Sequence, residues 1–301
     1  MGLEIKAPVL LIAFNRPETT KIAFNSIRHA KPLKLYVAVD GPREGNIKEL
    51  DLVNQVKNIV QDVNWDCETH YKFNDKNLGA EVTVSSAVTW SLMEEEYIIV
   101  LEDDIVASMP FFHFAEEMLI KYKDLDQIAT VAGSNPTPIK FHNSDDYFFS
   151  RYGHTWGWAT WKRVWDKFDL NIDIPNEHLT KAFLDKICNN KAETNYYHKL
   201  FNRLKQKDPL INTWDFIFAY IRWINNSLSI IPRVNLISNI GIFGLHARGE
   251  TENHFRPIDD QFMVTNHPKR IECNVEYDKH HFMKHINEQK TIIQRIFTKL
   301  G

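Results

Sequence analysis

The first 130 residues alternate between short apolar runs and longer segments of helical spacing. Val9 to Ala13 is apolar without interruption and stops at the polar Asn15 and Arg16, the pattern of a strand covered on both faces. Pro17 follows where a first helical turn tolerates it, and Ile22, Ala23 and Ile27 continue at helical spacing. Leu33 to Val39 predicts a second strand, closed by the turn signal Asp40-Gly41-Pro42. Leu52, Val53, Val56, Ile59, Val60 and Val63 predict the stripe of a second helix. Thr69 to Phe73 reads as a third strand and Ala80 to Met93 as a third helix, entered through Asn77-Leu78-Gly79. Tyr97 to Leu101 is a buried-strand run that stops at Glu102-Asp103-Asp104. A helix over Phe111 to Tyr122 and a strand over Ile128 to Ala132 complete this half.

Repeated strand–helix–strand units with short links imply an α/β fold, a mostly parallel sheet with helices on both faces. Ligands of such sheets bind beyond the carboxyl ends of the strands. That rule gathers Asn15, Arg16, Asp40 and the Glu102-Asp103-Asp104 cluster on one rim, although they are far apart in sequence. The second half is less regular. Helices are expected over Trp161 to Phe168, Leu179 to Asn189, Thr194 to Lys205 and Asp215 to Asn225, and short strands over Leu228 to Ile231 and Val234 to Ile237. Lys279 to Lys299 predicts a basic amphipathic helix. Without an internal repeat or low-complexity linker, residues 1–301 read as one domain: a nucleotide-binding half (1–107), an acceptor and catalytic half (108–245), and a closing loop with a basic tail (246–301).

The 301 residues carry 36 Lys and Arg against 39 Asp and Glu, a formal net charge of −3, and 44% are hydrophobic. This balance excludes a disordered chain and gives no basis for a nucleic-acid partner. Cys67, Cys188 and Cys273 are too few and too scattered for a disulfide framework or a zinc knuckle, so buried free thiols in a reducing compartment are expected. No apolar run approaches the roughly 20 residues of a membrane span, and Met1 to Lys6 has no secretory pattern. A cytoplasmic protein is the expectation.

Three segments carry candidate chemistry. Carboxylates at Glu102, Asp103 and Asp104 directly after a buried strand must be exposed, paired or bound to a cation. In extended geometry Glu102 and Asp104 would share a side, and oxygen ligands suit Mg²⁺ or Mn²⁺. A solvated acidic turn is the competing reading. Asp215 lies between Trp214 and Phe216. An apolar setting can tune a carboxylate as a general base, while Thr213 or Asp215 could instead cap the following helix. In the run from Ser150 to Trp161, Gly153 and Gly157 interrupt aromatic residues, and four of the eight tryptophans fall between Trp156 and Trp165. Indole faces suit the C–H face of a sugar ring; a core cluster is the alternative, to which Trp161 and Trp165 are assigned. His246 and Arg248 stand in a glycine-bounded loop that could close over a metal–diphosphate. The chain has no P-loop, dinucleotide fingerprint, nucleophile elbow or HExxH helix.

Taken together, and over most of the chain from Pro8 to His246, these segments resemble GT-A glycosyltransferases. The pattern is that of the N-acetylglucosaminyltransferase I family and bacterial sugar-transferase-like relatives. Pro8 to Arg16 resembles the opening nucleotide-binding strand and loop, including Ala13, Asn15 and Arg16. Val39-Asp40-Gly41 resembles the second strand, whose acidic residue faces the base. Lys76, Asn77 and Gly79 fall in the next nucleotide-contacting segment. Glu102-Asp103-Asp104 stands where the DxD-type metal motif stands, with Asp104 as the direct ligand. Phe148 to Trp158 resembles the segment lining the donor and acceptor pocket, with Trp156, Gly157 and Trp158 as substrate contacts. Trp214-Asp215 resembles the segment that supplies the catalytic base, although Phe216 stands where the family has a second aspartate. The closing loop, with His246 as a further metal ligand, aligns less cleanly.

The resemblance implies a GT-A, Rossmann-like fold with a mixed acceptor-side region and a C-terminal helix. It implies inverting transfer of a hexose or N-acetylhexosamine from a nucleoside diphosphate sugar, UDP-linked, with Mn²⁺ or Mg²⁺. The acceptor would be a hydroxyl of a glycan or lipid-linked saccharide. The basic tail could touch the inner face of the plasma membrane. A retaining transferase, a nucleotidyltransferase, a glycosidase and a non-catalytic glycan-binding protein with an aromatic cleft are the alternatives.

Overall fold

All five strands expected in the first half form, and they set the frame of a computed structural model that describes residues 4–137, 145–211, 213–241 and 257–287. They are β1 (Val9–Ala13), β2 (Lys34–Val39), β3 (Glu68–Phe73), β4 (Tyr97–Glu102) and, after the short β5 (Ile105–Ala107), β6 (Ile128–Ala132). Three more join the same sheet: β7 (Tyr147–Ser150), β8 (Trp158–Trp161) and β9 (Leu228–Pro232). The sheet runs β3-β2-β1-β4-β8-β6-β9-β7. The pairs β3/β2, β2/β1 and β1/β4 are parallel, as is β6/β9, whereas β8 and β7 run antiparallel to their neighbours. The fold is α/β and Rossmann-like, mostly parallel with a mixed half, and consistent with the GT-A type.

The helices lie where right-handed crossovers put them. Helix α1 (Pro17–Ala30), α2 (Ile47–Gln61) and α4 (Met109–Lys121) group on one face. Helix α3 (Ala80–Glu94) takes the other, with α5 (Lys162–Trp165) and α8 (Trp214–Ile224). The buried stripe of α1 is Thr20, Ala23, Phe24, Ile27 and Ala30, while Ile22, expected in it, is half exposed. Helix α2 begins five residues before its expected stripe because Asn46 caps it, accepting from Glu49 N–H at 3.1 Å.

Several second-half expectations are corrected. Trp161 to Phe168 is not one helix. Trp158–Trp161 is a fully buried strand between β4 and β6, and only Lys162–Trp165 is helical. The spacing of Trp161 and Trp165 imitates a helix, but the strand slot demands four consecutive buried side chains. The 179–189 segment shrinks to a 3-10 turn (Asn176–Leu179) and α6 (Lys181–Leu184). Helix α7 (Lys191–Lys205) is as expected with an earlier start, capped by Asn190. The strand expected at 234–237 lies instead at β10 (Ile237–Asn239), which pairs antiparallel with β5 through Ile237↔Ala107 and Asn239↔Ile105. The tail forms α9 (Val275–His281) and a wider π turn (Phe282–Asn287); the rest of the expected tail helix lies outside the described residues. The three cysteines are free, as expected, but half-buried rather than buried. No helix among the described residues is long and apolar enough to cross a membrane.

Helix α8 buries side chains in two cores. Trp214 and Phe218 join the cluster under the main sheet, while Ile217, Tyr220, Ile221 and Trp223 enter a second cluster with Leu184, Tyr197, Phe201 and Phe282.

Candidate active site

The carboxyl ends of β1, β2 and β4 form one rim, as the sheet rule predicts. At β4 the chain leaves the strand at Glu102, turns at Asp103 and Asp104 and re-enters β5 at Ile105. The expected strand alternation of Glu102 and Asp104 therefore does not hold. Asp103 is buried: one carboxylate oxygen accepts Phe14 N–H at 3.0 Å and the other pairs with Arg16 Nη2. Arg16 Nη1 donates to Asp104 Oδ2 at 2.9 Å. One guanidinium thus spans two neighbouring carboxylates.

Burial pushes the Asp103 carboxyl up to about 6, against the opposing pull of Arg16. Burial, with Asp104 and Asp103 as neighbours, pushes Glu102 well above the ordinary carboxylate range. Burial alone would lower the Arg16 guanidinium; the two aspartates outweigh it and hold Arg16 above its ordinary value. Asp215 is among the charges that raise Glu102, which brings α8 and β4 within electrostatic reach of each other. Asp215 sits in the first turn of α8, half-exposed, and accepts from the Thr213 hydroxyl. Thr213 occupies the cap position without capping through its side chain. Of the two residues offered as alternatives for the cap, Thr213 takes the position and Asp215 lies inside the first turn.

Asp40 has a different task from the expected one. Its carboxylate accepts from Gly41 N–H (2.9 Å), Asn74 Nδ2 (3.0 Å), Asn77 Nδ2 (2.8 Å), Leu78 N–H (3.0 Å) and Gly79 N–H (3.1 Å). A carboxylate has about four lone-pair sites, so five donors leave none open for a nucleobase. Asp40 fixes the loop that enters α3, and Asn77 and Gly79 belong to that loop. Ala13 closes β1, its carbonyl accepting Asp40 N–H at 3.0 Å. Asn15 Nδ2 donates to Glu49 Oε1 at 2.9 Å, and the buried Glu49 also takes Arg43 Nη1 (2.6 Å) and Arg43 N–H (2.7 Å). Arg43 lies over the Phe14 ring at 5.4 Å. Glu49 escaped the sequence reading; its signal is the Asn46-x-x-Glu49 helix start. Beside this wall opens a cavity of about 660 Å³ lined by Arg43, Ile47, Leu50, Asp75, Lys76 and Asn77, within the size range of small-ligand sites.

The aromatic segment is corrected in part. Trp158 is 1% exposed and stacks on Trp214, ring centroids 5.6 Å apart, with Trp165 and Phe218 around them. Trp158 and Trp214, two of the rings expected to contact the sugar, are therefore enclosed, Trp158 by the fully buried strand β8 and Trp214 by the packing of α8. The Trp158 indole N–H finds no acceptor among the described residues. Trp156 is half-buried against the main core, and Gly157 is buried with φ +59°. His246 and Arg248 lie outside the described residues.

Gly241 was not foreseen either. It follows β10, and a Cβ there would overlap Asp104 Oδ2 and stand 3.1 Å from Arg16 Nη1. Only a residue without a side chain lets the chain pass so close to the acidic turn. Its proximity to Asp104 follows from the β10–β5 pairing, which the sequence does not reveal.

A divalent cation fits this set in one way. Among the described residues no group of three or more His, Cys, Asp and Glu side chains is gathered as a complete metal site. Asp104 Oδ1, however, takes no hydrogen bond from a described residue, and the side chain is 15% exposed at the rim. Mg²⁺-type ions commonly rest on one or two carboxylates and complete their shell with substrate phosphates and water. Asp104 can serve so; Asp103, with both oxygens engaged, cannot without giving up its partners.

No family model matches the chain, and no curated protein sequence matches it. Among solved structures it is similar to the mannosyltransferase PcManGT from Pyrobaculum calidifontis, in complex with GDP-Man and Mn²⁺. The identity is 10%, the TM-score 0.38, and the match covers 74% of this chain and 70% of that one. It is also similar to HddC from Yersinia pseudotuberculosis, at 12% identity and a TM-score of 0.31, over 54% of this chain and 80% of that one. Likeness at these scores carries no functional argument.

Proposed function

We propose that the chain is a nucleotide-sugar-dependent glycosyltransferase that moves a hexose or N-acetylhexosamine from a nucleoside diphosphate sugar to an acceptor hydroxyl, with inversion. One observation carries the reading: Arg16, after β1, meets Asp104, after β4, at 2.9 Å on the carboxyl rim, and Asp104 Oδ1 takes no hydrogen bond from a described residue; Asp215 on α8 is near enough to raise Glu102. Asp104 would hold Mn²⁺ or Mg²⁺; that ion supplies charge neutralisation on the leaving diphosphate. Arg16 faces the same anionic group. Asp103 and Asp40 shape the loops around the donor, with Asn15, Lys76, Asn77 and the adjoining cavity on the nucleoside side. Asp215 accepts the proton of the acceptor hydroxyl as it attacks the anomeric carbon. UDP is the proposed nucleotide, and a glycan or lipid-linked saccharide the proposed acceptor. The enclosure of Trp158 and Trp214 weighs against a non-catalytic protein with an open aromatic cleft.

Calorimetric titration of UDP, GDP and CMP in Mn²⁺ and again in EDTA tests the donor side; cation-dependent UDP binding is expected. Asp215→Asn is then expected to lower turnover about 10²–10⁴-fold, the usual share of a general base, with UDP affinity intact. Unchanged turnover would remove Asp215 from the chemistry.

A further inference from the structure

Arg16 holds two carboxylates of unequal freedom. Asp103 is anchored from both sides, by Arg16 Nη2 and by Phe14 N–H, and is 2% exposed. Asp104 is held among the described residues by one side-chain bond, from Nη1 to Oδ2. The carboxylate a divalent cation would use is thus already neutralised by a cation of the chain itself. Two positive groups sharing one carboxylate repel each other, so one of three groups has to give way.

The packing decides which. Asp104 is fixed at its backbone by Ile240 N–H, which donates to its carbonyl at 2.8 Å, and Gly241 closes the space beside Oδ2. Asp103 is buried. Arg16 is the partner with room to move: its side chain is 32% exposed at the rim. A guanidinium that leaves Asp104 needs another anion, and phosphate oxygens match its fork geometry.

We propose that Arg16 is an exchange residue: it occupies Asp104 in the free protein and passes Nη1 to the donor's diphosphate as the cation takes Asp104, while Nη2 keeps Asp103. The inference rests on the donor reading above. It makes cation and donor bind together, because each removes the obstacle to the other. The free protein binds the cation poorly on its own, and Arg16 is a positioning residue for both ligands.

The test is Mn²⁺ binding followed by the free-ion electron paramagnetic resonance signal, in unaltered protein and in Arg16→Met. If Asp104 is free of Arg16 in about one molecule in ten, Arg16→Met binds Mn²⁺ alone about tenfold more tightly, since apparent affinity scales with the competent fraction. The factor by which UDP tightens Mn²⁺ binding falls by at least about tenfold in the same variant, because the charge-assisted contact to the diphosphate is lost as well. Equal or weaker Mn²⁺ affinity in a folded Arg16→Met overturns the exchange. Should that variant not fold, the Arg16 guanidinium N–H resonances of the unaltered protein give the answer. They are expected to shift when Mg²⁺ and UDP are added together; unmoved resonances under conditions where UDP binds overturn the proposal. The Mn²⁺-alone comparison needs no nucleotide, so it can fail while the donor reading stands. The donor reading fails separately if no nucleoside diphosphate binds the unaltered protein.

Discussion

Asp40→Asn separates a loop anchor from a base contact. In the native carboxylate, Oδ1 accepts Gly41 N–H, Asn74 Nδ2 and Leu78 N–H, while Oδ2 accepts Asn77 Nδ2 and Gly79 N–H. Asparagine has one oxygen. Whichever way its amide turns, the new NH₂ faces at least two donors, so at least two charge-assisted bonds are lost. At about 1.5–3 kcal/mol each they total roughly 3–6 kcal/mol. Rotating the Asn77 amide to offer its oxygen to the new NH₂ would forfeit its bond to the Gly41 carbonyl at 3.2 Å, so the expected loss stays at about 3 kcal/mol or more. Urea unfolding followed by circular dichroism measures this, the midpoint falling at unchanged slope. A loss below about 1 kcal/mol, with UDP affinity reduced a hundredfold or about 2.7 kcal/mol, would refute the reasoning and return Asp40 to the nucleobase.

Gly241→Ala forces a methyl against Asp104 and Arg16. Cation-dependent UDP binding is expected to weaken at least about tenfold, the equivalent of 1.4 kcal/mol; unchanged calorimetric affinity would mean that the closing segment yields freely. Gly157→Ala combines positive φ with a Cβ 2.5 Å from Ile237 Cδ1, so about 2–4 kcal/mol of stability should be lost, and a urea midpoint within error of the unaltered protein would contradict this. The Asp146 carboxyl is raised by burial, but bonds from Thr265 and Asn266 and the Arg233 guanidinium outweigh this and leave it below the ordinary value. A depressed carboxyl contributes its stability above the unfolded value of about 3.9 and loses it as pH falls through the folded value. Asp146→Asn should therefore narrow the difference between urea midpoints at pH 6 and pH 3; an unchanged difference would count against it.

The rim was legible because strand ends are marked by composition. Apolar runs stop at Asn15, Asp40 and Glu102, and a parallel sheet brings such stops together. What each rim residue does was not legible, because its partners come from elsewhere in the chain. The donors to Asp40 include residues 34 to 39 positions away, and Arg16 meets its aspartates across 87 and 88 positions. No periodicity encodes such bonds. Strand β8 failed for a related reason. Trp158 to Trp161 is four residues long, buried on both sides, and joins a short helix directly. A short apolar run does not distinguish strand from helix. Ile22 shows the limit of apolar counting: Thr20, paired by its hydroxyl to Arg16 C=O at 2.7 Å, is buried while Ile22 is exposed.

That last bond connects helix packing to the site. Thr20 ties its hydroxyl and its N–H to the Arg16 carbonyl, so the backbone of Arg16 is fixed by α1 while its side chain spans the acidic turn. Asp215 is set in a comparable way. It emerges from the first turn of a helix held by two cores, with Trp214 stacked on Trp158 on one side and Ile217 in the second cluster on the other. Close-packed cores transmit displacement instead of absorbing it. The candidate base and the backbone of Arg16 are therefore held by rigid elements, and the freedom left at the rim is concentrated in the side chain of Arg16. A site of this kind would hold its reacting groups in place before the ligand arrives and leave one side chain to be rearranged by it.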